Sequence, residues 1–256
     1  PAFNKIFVET NKNVSTELIT KSHLKNKITF KKKMSILIDK YSFNEKQNFK
    51  LQKIDIKINK GQCIGIFGKS GAGKSTLLDI ICGFIISKKI KIECDGININ
   101  ENIKSWQSNI GYIPQNVPIL NNNLRTNLIF GSNDKKITDL FLNSILKKVN
   151  LSSFLRKRKI GLNNLINEQG LNISGGEIQR IGIARALVIK PELIVMDEPT
   201  SALDSITEEK ILKEIKKLNK TTIIVSHRLS SFKNCNAVYN LEENGTLKKM
   251  VKKLWN

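Results

Sequence analysis

The sequence predicts an α/β fold organised on a mainly parallel sheet. Three observations carry this expectation. Short β-like runs alternate with helical patterns toward both ends of the chain. One run, CIGIF at residues 63–67, passes through a glycine-rich turn straight into a helical pattern. Another, LIVMDE at residues 193–198, is apolar until two acids close it, as a central parallel strand buried on both faces would read. A block of mostly helical signals from about residue 116 to 190 interrupts the alternation and predicts an inserted subdomain.

In chain order, residues 1–24 are polar with little periodicity and read as a linker. The chain opens on Pro1 without a signal-peptide pattern, so a fragment of something longer is expected. KITF, LQKIDIKI and QCIGIFG then read as strands, and a helix is expected after Gly73. The longest apolar run, LLDIICGFII at 77–86, is interrupted by Asp79 and Gly83. It falls short of the roughly 20 residues a membrane span needs, so it is read as a buried helix. KIKIE and NIGYIPQ follow as strands, and LRTNLIF, ITDLFLNSILKKV and EIQRIGIARALVI as helices. ELIVMDE, ITEEKILKEIKKL and TTIIVSH resume the alternation, and AVYNLEENGTLKKM predicts a closing hairpin turning at Asn244–Gly245.

With 43 Lys plus Arg against 22 Asp plus Glu, the net charge is +21. The excess is mostly Lys spread along the chain, which favours solvated surface charge over a dedicated patch. Attraction to an anionic membrane surface is the next reading. The one tight cluster, RKRK at 156–159, lacks the interleaved aromatics that stack nucleic-acid bases, so no nucleic acid is expected. Four cysteines, Cys63, Cys82, Cys94 and Cys235, stand far apart in sequence without metal-ligand spacing and read as small buried residues in a reducing compartment.

GKSGAGKST at 68–76 fits G-x-x-x-x-G-K-[ST] between a strand and a helix. Gly68, Ser70, Gly71, Ala72 and Gly73 let successive backbone N–H groups turn toward phosphate oxygens. The helix N-terminus adds positive potential. Lys74 would reach the β- and γ-phosphates, Ser75 would take a place on Mg²⁺, and Thr76 completes the motif. Asp197 is placed to hold Mg²⁺ through water, and Glu198 to orient and deprotonate an attacking water. His227 ends another apolar strand and would meet either the γ-phosphate or that water. Gln115 ends a strand where the helical insertion begins, which suits a hinge whose side chain reaches the metal. Finally, Ser174 and Glu177 form a capping box. Gly175 and Gly176 leave the first amides of that helix uncovered, an anion site made of backbone alone. With a phosphate loop already present, this second helix start is expected to complete the nucleotide site of another copy.

As a set these motifs resemble the nucleotide-binding domain of ATP-binding cassette (ABC) transporters, from about residue 25 to the end. GKSGAGKST is similar to Walker A, GYIPQ to the Q-loop, ISGGEIQR to the signature, LIVMDEPT to Walker B, SALD with Asp204 to the D-loop, and VSHR to the switch histidine. The resemblance implies a P-loop NTPase core at 25–115 and 179–256. It also implies antiparallel β strands at the N-terminal side and a helical subdomain at about 116–178. It implies ATP and Mg²⁺ as ligands, head-to-tail pairing with a second such ATPase domain, and a transmembrane domain in the same full-length chain. The location implied is the cytoplasmic face of a membrane, the bacterial inner membrane among them. PAFNKI, ILNNNLRTNLIFG and INEQG are similar to exporter segments, and Phe43 falls where exporters stack an aromatic on adenine, with Tyr41 the alternate.

Four positions depart from the family pattern: Ile173 for Leu, Glu177 for Gln, Gln169 for Arg and Phe43 for Tyr. Lys74, Gln115, Asp197, Glu198 and His227 are all present, so a working ATPase is expected. The rival readings are a stand-alone importer subunit, a soluble cassette ATPase acting on nucleic acid or ribosomes, and a non-hydrolytic module. No long coiled coil and no second Walker A stand in the chain to favour the nucleic-acid reading. The cargo is not readable here; lipid-linked, saccharide and peptide cargo all remain open.

Overall fold

Apolar residues at every second position of KMSILIDKY and LQKIDIKIN turn one strand face inward, producing β1 (Lys33–Tyr41) and β2 (Leu51–Asn59). The structure is a computed structural model that describes residues 27–42, 51–132, 134, 136–166, 173–199 and 205–255. β3 (Cys63–Phe67) leads through the glycine-rich turn into α1 (Lys74–Ile81). There follow β4 (Ile90–Cys94), β5 (Ile97–Asn98), α2 (Ile103–Gln107) and β6 (Ile110–Ile113). The helical block holds β7 (Asn122–Asn123), α3 (Leu124–Ile129), α4 (Asp139–Lys148), α5 (Ser152–Lys157), β8 (Leu165–Ile166) and α6 (Gly175–Val188). The chain closes with β9 (Leu193–Asp197), α7 (Ser205–Lys217), β10 (Thr221–Ser226), β11 (Ala237–Leu241) and β12 (Leu247–Lys249).

Two sheets result. One is antiparallel, in the order β2-β1-β4-β5. The other runs β12-β11-β3-β10-β9-β6, with every pair parallel except the closing hairpin β11–β12. This is the α/β architecture the sequence predicts, antiparallel strands on the N-terminal side included. β3, β10 and β9 are neighbours, so Lys74 at the start of α1 and Glu198 and His227 just past β9 and β10 gather at the carboxyl end of one sheet.

The apolar side chains divide into two clusters. One packs the antiparallel sheet and α1 against β3, with Ile36, Ile56, Leu77 and Trp106 fully buried. The other lies on the opposite side, joining β9 and β10 to α3, α4, α6 and α7. Close approach of α6 depends on two glycines. A Cβ on Gly111 would fall 2.9 Å from the Ala186 carbonyl oxygen, and one on Gly182 would fall 2.5 Å from Val117.

Two local expectations are corrected. KITF at 27–30 is not a strand; the strand starts at Lys33. The amides of Lys31, Lys32 and Lys33 turn to the Asp95 carboxylate at 2.6, 3.0 and 2.8 Å rather than to a ladder, although Ile28 and Phe30 are buried. The LLDIICGFII helix stops at Ile81, because Gly83 takes a left-handed φ of 73° and a Cβ there would sit 2.4 Å from Ile103. Among the described residues, no helix is long and apolar enough to cross a membrane.

Candidate functional site

Past the carboxyl ends of the parallel strands lies an open cleft of about 420 Å³. Ser70, Gly71, Gly73, Lys74, Ser75, Thr76, Gln115, Asp197 and Glu198 line it. Gly71 and Gly73 stand at φ 81° and 97°, in the left-handed region where a side chain is strained. Gly68 is required for another reason: a Cβ there would lie 2.9 Å from the Leu241 carbonyl oxygen. The turn therefore brings bare backbone to the cleft and starts α1 there. Buried Ala72 anchors it from below.

Lys74 is 7% exposed, and Nζ donates to the Gly68 and Lys69 carbonyls, both at 2.9 Å. Its third neighbour is Glu198 Oε1 at 3.5 Å. Glu198 is the meeting point of the cleft. His227 Nδ1 lies 3.0 Å from Oε2, and Gln115 Nε2 donates to the same oxygen at 3.4 Å. The Glu198 backbone sits at φ 44°, a left-handed value that costs a non-glycine residue about 1–3 kcal/mol. Its amide donates to Val225 of β10 at 2.9 Å, so the strained turn is tied to the strand that delivers His227.

Asp197 forms the floor. Ser75 Oγ donates to its Oδ2 at 3.3 Å and Tyr112 OH to the same oxygen at 3.4 Å. Burial and the adjacent Glu198 charge push the Asp197 carboxyl above its ordinary range against these two hydrogen bonds. Asp79, on α1, is pushed up likewise by burial and by Asp197. Burial and the same charges push the Tyr112 phenol far up, so it remains a donor. Such crowding of negative charge is what a divalent cation would relieve. A hydroxyl, a carboxylate and an amide side chain sharing one cleft suit a hard, oxygen-preferring ion such as Mg²⁺.

The second helix start lies outside this cleft. Ser174 is the N-cap of α6 and is exposed with Gly175. Glu177 Oε2 accepts the Ser174 N–H at 2.8 Å, the reaching-back half of the capping box. The acid thus serves the helix start itself, and the amides left for an anion are those of Gly175 and Gly176.

Among the described residues, Lys74, Ser75, Gln115, Asp197, Glu198 and His227 converge, while Ser174 and Gly175, exposed, and Gly176 and Glu177, half-buried, form a separate tip. Phe43, Asp204, the 1–24 linker and Gln169 lie outside the described residues; Tyr41 is at the end of β1. Sequence reasoning passed over Tyr112 and Asp79. Both left a signal: Tyr112 is inside the quoted GYIPQ, and Asp79 follows Ser75 by one helical turn. It also passed over a buried network beneath His227. There Glu208 of α7 accepts from Ser231 at 2.6 Å, and Ser231 meets Ser226 at 3.0 Å.

A phosphate loop, two strand-end acids and a parallel sheet around one cleft define a P-loop nucleotide-binding domain. A family model described as ABC transporter matches residues 51–201. The chain belongs to the ABC transporter family. A Rickettsia prowazekii protein described as an export ATP-binding/permease protein is 36% identical over 214 residues, 81% of this chain and 36% of that protein. The alpha-hemolysin translocation ATP-binding protein HlyB of Escherichia coli O157:H7 is 35% identical over 84% of this chain and 31% of its own length. The chain therefore spans about a third of the length of these relatives. The solved structure of a bacterial Atm1-family ABC exporter with ATP bound superposes with a TM-score of 0.77 at 26% identity, covering 96% of this chain and 42% of that one.

Proposed function

We propose that this chain is the ATP-binding and ATP-hydrolysing domain of an ABC exporter, acting at the cytoplasmic face of a membrane. The observation that carries the reading is the convergence of Lys74, Gln115 and His227 on the one carboxylate of Glu198 at 3.5, 3.4 and 3.0 Å. A cleft that only binds nucleotide has no need of a strained acid held by three partners.

In this proposal Lys74 exchanges the Gly68 and Lys69 carbonyls for the β- and γ-phosphate oxygens of ATP. Ser75 and Asp197 would hold Mg²⁺, with Gln115 reaching it from the hinge. The chemistry such an ion supplies is neutralisation of charge on the phosphate oxygens. Glu198 orients a water in line with the γ-phosphorus and takes its proton on the carboxylate. The water oxygen bonds to phosphorus, and the bond to the β,γ-bridging oxygen breaks, leaving ADP and phosphate. His227 fixes the Glu198 carboxylate from the β10 side and stays within reach of the γ-phosphate.

The tip at Ser174, Gly175 and Gly176 would close over ATP bound to a second ATPase domain, and Asp204 would join that interface. Phe43 would stack on adenine. We place the ATPase core at 25–115 and 179–256, the helical subdomain at about 116–178, and a linker to a preceding membrane domain at 1–24. The relatives' names as export ATP-binding/permease proteins support a membrane domain in the same full-length protein, which we place in the bacterial inner membrane. The test is phosphate release from MgATP. The wild-type chain should release phosphate steadily, and Lys74→Ala should abolish both release and ATP-dependent protection against heat. Equal release by Lys74→Ala would overturn the assignment.

A further inference from the structure

Two cysteines that stand 172 residues apart in sequence are neighbours in the fold: Cys63 Sγ lies 3.2 Å from Cys235 Sγ. Cys63 opens β3, at the end of the strand opposite the phosphate loop. Cys235 precedes β11, which pairs with β3. The backbones here are pinned. The Cys63 amide donates to Asn236 Oδ1 at 2.8 Å, the Asn236 amide to the Cys63 carbonyl at 2.7 Å, and the Cys235 amide to Phe232 at 2.8 Å. A disulfide needs its sulfurs at about 2.05 Å. From 3.2 Å, the sulfurs have to approach by roughly 1 Å to reach that length.

We propose that Cys63 and Cys235 form a reactive dithiol, which a low-molecular-weight disulfide converts into an intramolecular disulfide. Exposure sets the order of events. Cys63 is half-buried, whereas Cys235 is 6% exposed. Hydrogen bonding to Cys63 and burial hold the Cys235 thiol far above its ordinary range. Cys63 therefore reacts first. Its thiolate attacks one sulfur of the small disulfide, and one small thiol leaves. The Cys235 thiol then loses its proton, its sulfur attacks Cys63 Sγ, and the second small thiol leaves. The protein pair loses two electrons and two protons, and the small disulfide gains them as two thiols. Cys82 and Cys94 have no part: both are buried, at 2% and 0% exposure, and Cys94 Sγ donates to the Thr29 carbonyl.

The link would tie the strand entering the phosphate loop to the segment that follows His227, and it would do so at the end of the sheet remote from the nucleotide. The experiment is incubation of the native, reduced chain with oxidised glutathione, followed by intact mass, thiol counting and peptide mapping. The expected result is loss of two hydrogens and of two of the four thiols, with the link mapped to 63 and 235, reversed by a reducing agent. The linked form should melt about 5–10 °C higher. Cys235→Ser should stop at a single glutathione mixed disulfide on Cys63, and Cys63→Ser should keep all its thiols. A wild-type chain that retains four thiols, stops at the mixed disulfide, or links through Cys82 or Cys94 overturns the proposal. So does a linked form that melts no higher than the reduced one.

Discussion

His227 Nδ1 stands 3.0 Å from Glu198 Oε2, joining the ends of two neighbouring parallel strands across the mouth of the cleft. Because the two groups act through one contact, their removal should not add. Glu198→Gln is expected to lower ATP turnover by about 10²–10⁴-fold, the range of a lost general base. ATP affinity should stay within about threefold. His227→Ala should fall comparably, and the double variant little further than the worse single one. Steady-state phosphate release checks this; fully multiplicative losses would separate the two residues.

The same glutamate is held at φ 44°. Asn tolerates that region better than Glu, so Glu198→Asn should raise the thermal midpoint by roughly 2–4 °C, about 1 kcal/mol, while abolishing turnover. Differential scanning calorimetry of the nucleotide-free chain decides it. A lower midpoint would mean that the contacts of Glu198 outweigh its backbone strain.

The motif residues were legible because their chemistry dictates local pattern. Glycines before Lys74, acids at the end of an apolar run and His227 after another all sit within a few residues of the element that aims them. Long-range partnerships left no such trace. Cys63 with Cys235, Lys31 to Lys33 with Asp95, and Glu208 with Ser231 are 172, 64 to 62 and 23 residues apart. KITF misled for the same reason: its apolar alternation is real, but a distant carboxylate takes the amides that follow it. The capping box spans only three residues, and there Glu177 Oε2 does accept the Ser174 amide.

Asp95 gives a pH signature. Burial opposes its ionisation, but the amides of Lys33, Lys31 and Lys32 outweigh this, so its carboxyl is held below the ordinary value of 3.8. A carboxylate whose folded value is depressed stabilises the fold above its unfolded value and loses that contribution as pH falls through the folded one. The loss should therefore appear below about pH 4. Asp95→Asn should flatten that part of the acid limb and cost about 1 kcal/mol at pH 7, the exposure of the site limiting the effect. Chemical denaturation at pH 3, 4 and 7 measures it; an unchanged acid slope would count against the clamp.

Gly65 in β3 faces the Phe232 ring, where a Cβ would fall 2.4 Å from Cδ1. Phe232 also meets Phe67 edge-on, with ring centroids 6.4 Å apart. Gly65→Ala should destabilise the fold by about 1–3 kcal/mol through overpacking. Adding Phe232→Leu should recover part of that loss, a coupling that a double-mutant cycle in urea reads directly. Simple additivity would show that the ring is not what the methyl strikes.

The claim on which the account rests is that ATP in one cleft is closed over by the Ser174 tip of another copy. Sedimentation of Glu198→Gln with and without MgATP tests it most directly. The monomer should become a dimer when ATP is added, and adding Ser174→Arg should return it to monomer with ATP binding intact. A chain that stays monomeric with ATP, or a dimer indifferent to Ser174→Arg, would contradict it.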